Sequence, residues 1–162
     1  MNPRLLSAIV IACVVLLDRV TKLYIRAAFS PSDLVPVIPD VFNIVHVENP
    51  GAAFGLLANA PAEWRGLVLV LLSGIVMAVI AYLLFRPHPT ETPMTRLGLA
   101  IVLGGALGNM GDRLFRGTVT DFLQVFLGSY EFPSFNVADI AINVGAGLLI
   151  LDMLRGGRKR SA

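Results

Sequence analysis

Between Gly66 and Phe85 the chain runs for twenty residues, GLVLVLLSGIVMAVIAYLLF, without one charged side chain. At about 1.5 Å of rise per residue, a helix of that length crosses the hydrocarbon core of a bilayer. In lipid only helices and closed barrels satisfy their own backbone, so this run constrains everything around it. The composition agrees, with 56% hydrophobic and 15% charged residues and a mean hydropathy of +0.75. A soluble domain carries roughly a quarter charged residues and could cover itself in water; this chain could not. Disorder and a coiled coil are excluded, and with Cys13 as the lone cysteine so is a disulfide-stapled module. The net charge of +2, without a broad basic patch, is too small to suggest a nucleic-acid partner, and none is expected.

Three more stretches read as spans, near 5–28, 97–115 and 136–154, giving one membrane-embedded domain over 1–162. The first is broken by Asp18, Arg19, Lys22 and Arg26 after the apolar run Leu5–Leu17. A cleaved leader fits Arg4 and that run, but Asp18-Arg19-Val20-Thr21-Lys22 stands where small cleavage-site residues belong, so the segment is read as retained. Four of the thirteen Lys and Arg lie in the last eight residues, Arg4 lies at the other end, and Arg86 and Arg96 flank the 86–96 connection. The 29–65 connection holds Asp33, Asp40, Glu48 and Glu63 against Arg65 alone. Both termini are therefore expected in the cytoplasm, with segments 29–65 and 116–135 outside. Val35–Asn49 is rich in β-branched residues and broken by Pro36, Pro39 and the Asn49-Pro50-Gly51 turn, which predicts short strands. Gly117–Leu127 also reads as extended in part.

Placed on this topology, the unusual polar residues gather at one face. Asp18 and Lys22 fall in the outer half of span 1, four residues apart on one side of the helix. Asn109, Asp112 and Arg113 fall at the outer end of span 3, and Asn136 and Asp139 at the outer start of span 4. Asn49, Gly51 and Asp121 lie in the outer segments. Ionisable groups in a bilayer are costly and mark a site by default. Plainer readings stay open for several. Asp18–Lys22 fits an i,i+4 ion pair, Asp112–Arg113 a headgroup anchor, and Asn136 with Asp139 a helix cap with an acid in its first turn. Gly104 and Gly108 form the G-x-x-x-G spacing of close helix packing. Cys13, inside the apolar run, is expected against lipid or packed.

No Cys/His cluster and no phosphate-cradling glycine loop is present, so neither a metal nor another cofactor is expected. Hydrolysis then leaves two routes. A Ser–Lys dyad would have to use Lys22, to which no serine has an obvious spacing. A carboxylate pair sharing one proton would use one Asp to activate water and the other to polarise an amide carbonyl, and Asp121 and Asp139 are the best-placed pair. The helix start beside Asp139 favours negative charge there, which makes Asp121 the expected proton holder. A rival reading, a small transporter or proton relay using Asp139 and Asp112, wants its acid near mid-membrane with access from both faces. A scaffold subunit would leave the paired acids unexplained.

Five motifs occur in order. They are Asp18-Arg19-Val20-Thr21-Lys22, Asn49-Pro50-Gly51-Ala52-Ala53-Phe54, Gly108-Asn109-Met110-Gly111-Asp112-Arg113, Val119-Thr120-Asp121-Phe122 and Phe135-Asn136-Val137-Ala138-Asp139. Together they resemble the motifs of the lipoprotein signal peptidases (signal peptidase II), bacterial inner-membrane aspartyl proteases with four transmembrane helices. The resemblance covers essentially the whole chain and shows no departure at a motif position. It implies an all-α membrane fold with a small extracytoplasmic β-sheet cradle supplied by segment 29–65, between helices 1 and 2. It implies Asp121 and Asp139 as catalytic residues, with Asn49, Gly51, Asn109, Asp112, Arg113 and Asn136 shaping the site and Asp18 and Lys22 supporting it. The implied substrate is a diacylglyceryl-modified prolipoprotein, cut just before its lipid-bearing cysteine. The expected surroundings are membrane lipids, and the expected state is a monomer.

Overall fold

Helix α1 (Pro3–Ala28) begins where the side chain of Asn2 accepts the backbone N–H of Arg4 at 3.0 Å, with Pro3 in the first turn where a missing N–H costs nothing. Strands β1 (Leu34–Ile38) and β2 (Phe42–Asn49) follow, then α2 (Ala62–Phe85) and α3 (Pro93–Arg116). Thr92 caps α3 through Thr95 N–H at 3.0 Å, and Gly117, in the left-handed region at φ 78°, ends it. Strands β3 (Val119–Leu127) and β4 (Tyr130–Glu131) lead to α4 (Val137–Arg160). The computed structural model describes residues 2–51, 62–86 and 92–160, so Ala52-Ala53-Phe54 of the second motif, and His88, lie outside the described residues.

Each helix differs in extent from the span expected of it, most at the starts of α2 and α3 and the end of α4, because helix ends need not coincide with the apolar run. Among the described residues two stretches are long and apolar enough to cross a membrane, Gly66–Phe85 and Val137–Arg155. Helices α1 and α3 fall short of that measure because of the polar residues in their second halves, most of which turn inward. Lys22 is 0% exposed and Asp18 and Asp112 1%, whereas Leu16, Leu71 and Ile75 are 57–64% exposed on the outside. Polar groups inside and apolar groups outside is the pattern that a lipid solvent selects.

The four strands form one antiparallel sheet in the order β1-β2-β3-β4. This corrects the expectation that segment 29–65 alone builds it. The β1–β2 hairpin would be marginal by itself, and β3 supplies the second neighbour that β2 needs. Helix α3 is central. A Cβ on Gly104 would stand 2.8 Å from Val14 Cβ on α1, and one on Gly105 2.5 Å from the Ala138 carbonyl on α4. At Gly108 it would meet Asp18 Oδ2 at 2.5 Å, so the G-x-x-x-G spacing marks close packing as read. Leu84, Leu99, Ala100 and Leu103 form the apolar core beneath. The hydroxyls of Thr92 and Thr95 reach Asp152 at 2.6 and 2.5 Å and tie the start of α3 to α4.

Candidate active site

Strand pairing does the first positioning. Asn49 lies opposite Val119 and Glu48 opposite Thr120, so by strand alternation Asn49 and Asp121 share one face and Glu48 and Thr120 the other. The Asn49 side chain accepts Gly51 N–H at 2.8 Å and donates from Nδ2 to Asp121 Oδ2 at 2.9 Å. Gly51 has φ +89°, and a Cβ there would run into Leu69, so the turn requires glycine.

The second acid arrives by a different route. Phe135 N–H donates to the Leu123 carbonyl at 3.0 Å, and the Phe135 carbonyl accepts from Phe122 and Leu123 at 3.0 and 2.9 Å. That clamp holds the next residue, Asn136, beside Asp121, and the Asn136 amide donates to Asp121 Oδ1 at 2.7 Å. Asn136 also starts α4. Its N–H donates to Asp139 Oδ2 at 3.1 Å, while Asp139 N–H donates to Asn136 Oδ1 at 3.0 Å, a reciprocal cap. Asn109 Nδ2 donates to Asp139 Oδ1 at 2.8 Å, and Asn109 Oδ1 accepts from Asn136 at 3.1 Å. The cap reading of Asp139 therefore holds, and the same contacts bring it to Asp121. Asp121 is buried and Asp139 half-buried.

Behind the amides lies a buried charge cluster. Lys22 Nζ stands 2.9 Å from Asp18 Oδ2, 3.0 Å from Asp112 Oδ2 and 2.9 Å from Asn109 Oδ1. Asp18 Oδ1 accepts Ala138 N–H at 3.0 Å. Asp18–Lys22 is thus an i,i+4 pair that also joins α1 to α3 and α4. Asp112 is held by Arg26 at 2.7 Å and Arg19 at 3.3 Å as well, so it is a buried hub and no headgroup anchor. Arg113 lies within electrostatic reach of Asp139, Asp121 and Asp112, yet its Nε is buried without a hydrogen-bond partner among the described residues.

Sequence reasoning missed a third layer, Arg26, Glu48, Thr118 and Thr120. Arg26 donates to Thr120 Oγ1 at 2.7 Å, and Thr120 and Thr118 donate to Glu48 at 2.9 and 2.5 Å. Burial pushes the Glu48 carboxyl up, but hydrogen bonds from Thr118, His46 and Thr120 outweigh it and hold the group below its ordinary range. Arg26 follows Lys22 by four residues on the Asp18 stripe, and that spacing was the available signal.

Burial pushes the Asp121 carboxyl up to about 6, and the nearby charge of Asp139 adds to the rise against hydrogen bonds from Asn49 and Asn136. Two acids joined through one asparagine, one of them holding its proton up to about pH 6, can act as an acid–base pair. Among the described residues no group of three or more His, Cys, Asp or Glu could hold a metal ion.

The sequence family described as signal peptidase (SPase) II matches residues 10–155. A lipoprotein signal peptidase of Syntrophus aciditrophicus is 41% identical over 99% of this chain and 99% of its own length. One of Solibacter usitatus is 43% identical over 93% of this chain and 91% of its own. A bacterial membrane enzyme solved by the in meso method at 2.3 Å resolution superposes with a TM-score of 0.80 at 30% identity, covering 92% of this chain and 87% of that one. The order of the five motifs, the helical fold with its small sheet and the full-length likeness agree: the chain belongs to the signal peptidase II family.

Proposed function

We propose that the chain is an intramembrane aspartyl endopeptidase that removes the signal peptide from diacylglyceryl-modified prolipoproteins, cutting before the lipid-bearing cysteine. The observation that carries this reading is Asn136, whose side chain holds Asp121 while its backbone N–H and side-chain carbonyl hold Asp139. Asp121 keeps the shared proton and donates it toward the scissile carbonyl oxygen. Asp139 accepts a proton from the attacking water, whose oxygen bonds to the carbonyl carbon. As the C–N bond breaks, Asp139 passes that proton to the leaving nitrogen and Asp121 recovers its own. Asn49 and Asn109 orient the acids, Gly51 shapes the turn beside them, and Asp18, Lys22 and Asp112 fix Asn109 from behind. Arg113 supplies positive charge that offsets the cluster of carboxylates.

Four helices cross the bilayer in this reading, both termini are cytoplasmic, and the acids sit near the outer face. A lipid-anchored substrate reaches them sideways from the bilayer, to a single copy of the chain. The test is cleavage of a lipid-modified prolipoprotein by detergent-purified wild type, Asp121→Asn and Asp139→Asn, read as a mass shift. Wild type should cleave, and each variant should lose about 10³-fold or more. Near-normal cleavage by either variant overturns the pair.

A further inference from the structure

Between Asp139 and Asp152 helix α4 reads IAINVGAGLLIL, and Asn143 is the only polar side chain in that run. It falls inside Val137–Arg155, the stretch of α4 long and apolar enough to cross a membrane. Asn143 is exposed, and so are its neighbours Ile140 and Val144. Asparagine is a poor helix former, and an amide turned toward hydrocarbon is costly, so neither the helix nor the lipid favours it at this position.

The side chain is half satisfied. One Nδ2–H donates to the Asp139 carbonyl at 2.9 Å, four residues back. The second N–H and the Oδ1 oxygen have no partner among the described residues. Residues four apart share one side of a helix, so the open half of this amide lies on the side of α4 that carries Asp139.

A transmembrane signal peptide has to leave its helix where it is cut, because a helical peptide bond is closed to attack. Unwinding frees backbone N–H and C=O groups that lipid cannot satisfy. On the orientation given above, α4 runs inward from Asp139, and the substrate residues before the cut lie on that inward side. Four residues of α4 rise about 6 Å. An extended chain covers that distance in about two residues.

We propose that Asn143 is a substrate-binding residue that receives the unwound end of the signal peptide. Its free N–H donates to the carbonyl, and its Oδ1 accepts the N–H, of one backbone position about two residues before the scissile bond. The inference rests on the cleavage reading above and adds the group that takes up the freed backbone. Asn143 engages backbone and no side chain, so it serves signal peptides of different sequence equally.

Steady-state cleavage of a synthetic lipid-modified prolipoprotein peptide by wild type and Asn143→Leu tests this. The variant should raise KM about tenfold, because two hydrogen bonds present both before and during reaction are lost. Its kcat and its unfolding temperature in detergent should stay at the wild-type values. A fall in kcat at unchanged KM would mean that Asn143 acts through Asp139, and it overturns the proposal, as does wild-type behaviour in both constants. A second arm replaces each of the three amide links preceding the scissile one, singly, by an ester, which removes the N–H. At one of the three, wild type should lose several-fold in KM and Asn143→Leu nothing. Equal losses in the two proteins at every position overturn the pairing. If wild type leaves the unaltered peptide uncut, the cleavage reading falls and this inference with it. If wild type cuts it and the two arms show no coupling, this inference alone falls.

Discussion

Lys22 Nζ on α1 lies 2.9 Å from Asn109 Oδ1 on α3, so a buried ammonium sets which way the amide that donates to Asp139 faces. With its oxygen engaged by Lys22 and Asn136, the Asn109 NH₂ has one direction left. The asymmetry of an amide, acceptor on one side and donor on the other, turns a cation into a device for orienting an acid.

Lys22→Met should therefore be costly twice over. It leaves Asp18 and Asp112 buried without their shared cation, a loss of about 3–5 kcal/mol. It also frees Asn109 to flip, so cleavage should fall even where the variant still folds. Thermal unfolding in detergent beside a cleavage assay checks both, and wild-type behaviour in both would refute the arrangement.

Gly108 and Gly111 make a paired test of packing. A Cβ at Gly108 would stand 2.5 Å from Asp18 Oδ2, whereas one at Gly111 meets nothing within 4 Å among the described residues. Gly108→Ala should destabilise by about 1–3 kcal/mol. Gly111→Ala should be neutral or gain up to about 1 kcal/mol from helix propensity. The two substitutions sit one turn apart, and equal unfolding temperatures would count against the observed packing.

Asp121 should show itself in the pH dependence of stability. Its folded pKa of about 6 lies above the ordinary carboxylate value, so the native state binds this proton more tightly than the unfolded chain does. Its contribution is unaffected well below pH 4 and turns unfavourable as pH rises from about 4 to about 6. Wild type should accordingly lose on the order of 2–3 kcal/mol relative to Asp121→Asn across that window. Unfolding measured at several pH values reads the difference directly, and a constant offset would contradict the raised value. The alkaline limb of kcat/KM should fall in the same region, since it reports the free enzyme.

Orientation is checked by thiol labelling. In a Cys13→Ala background, cysteines placed at Ser32 and Ser129 should react with an impermeant reagent from outside the cell. Reaction only after the membrane is opened would invert the topology and place the acids at the inner face.

Much of this architecture is legible in the sequence because lipid makes polar residues conspicuous. Asp18, Lys22, Asn109, Asp112, Asn136 and Asp139 stand out against apolar runs, and helical spacing alone puts them at shared depths. The strand content of Gly117–Leu127 is visible too, but its partner is not. Pairing β3 with β2 joins residues about seventy positions apart, and nothing local encodes that register. The Arg26–Thr120–Glu48 layer was hidden for the same reason, since its members meet only once the sheet has closed onto α1.

The clamp between Phe135 and Leu123 has one more consequence. The eighteen positions separating Asp121 from Asp139 in sequence collapse, mechanically, to the short run from Phe135 to Asp139, because the hairpin beyond the clamp closes on itself. Its tip at Gly128 is an ornament as far as the acids are concerned, free to lengthen or change composition as loop ends generally are. A single deletion between Phe135 and Asp139 has no such freedom: it would turn the first residues of α4 by about 100° and carry one acid away from the other.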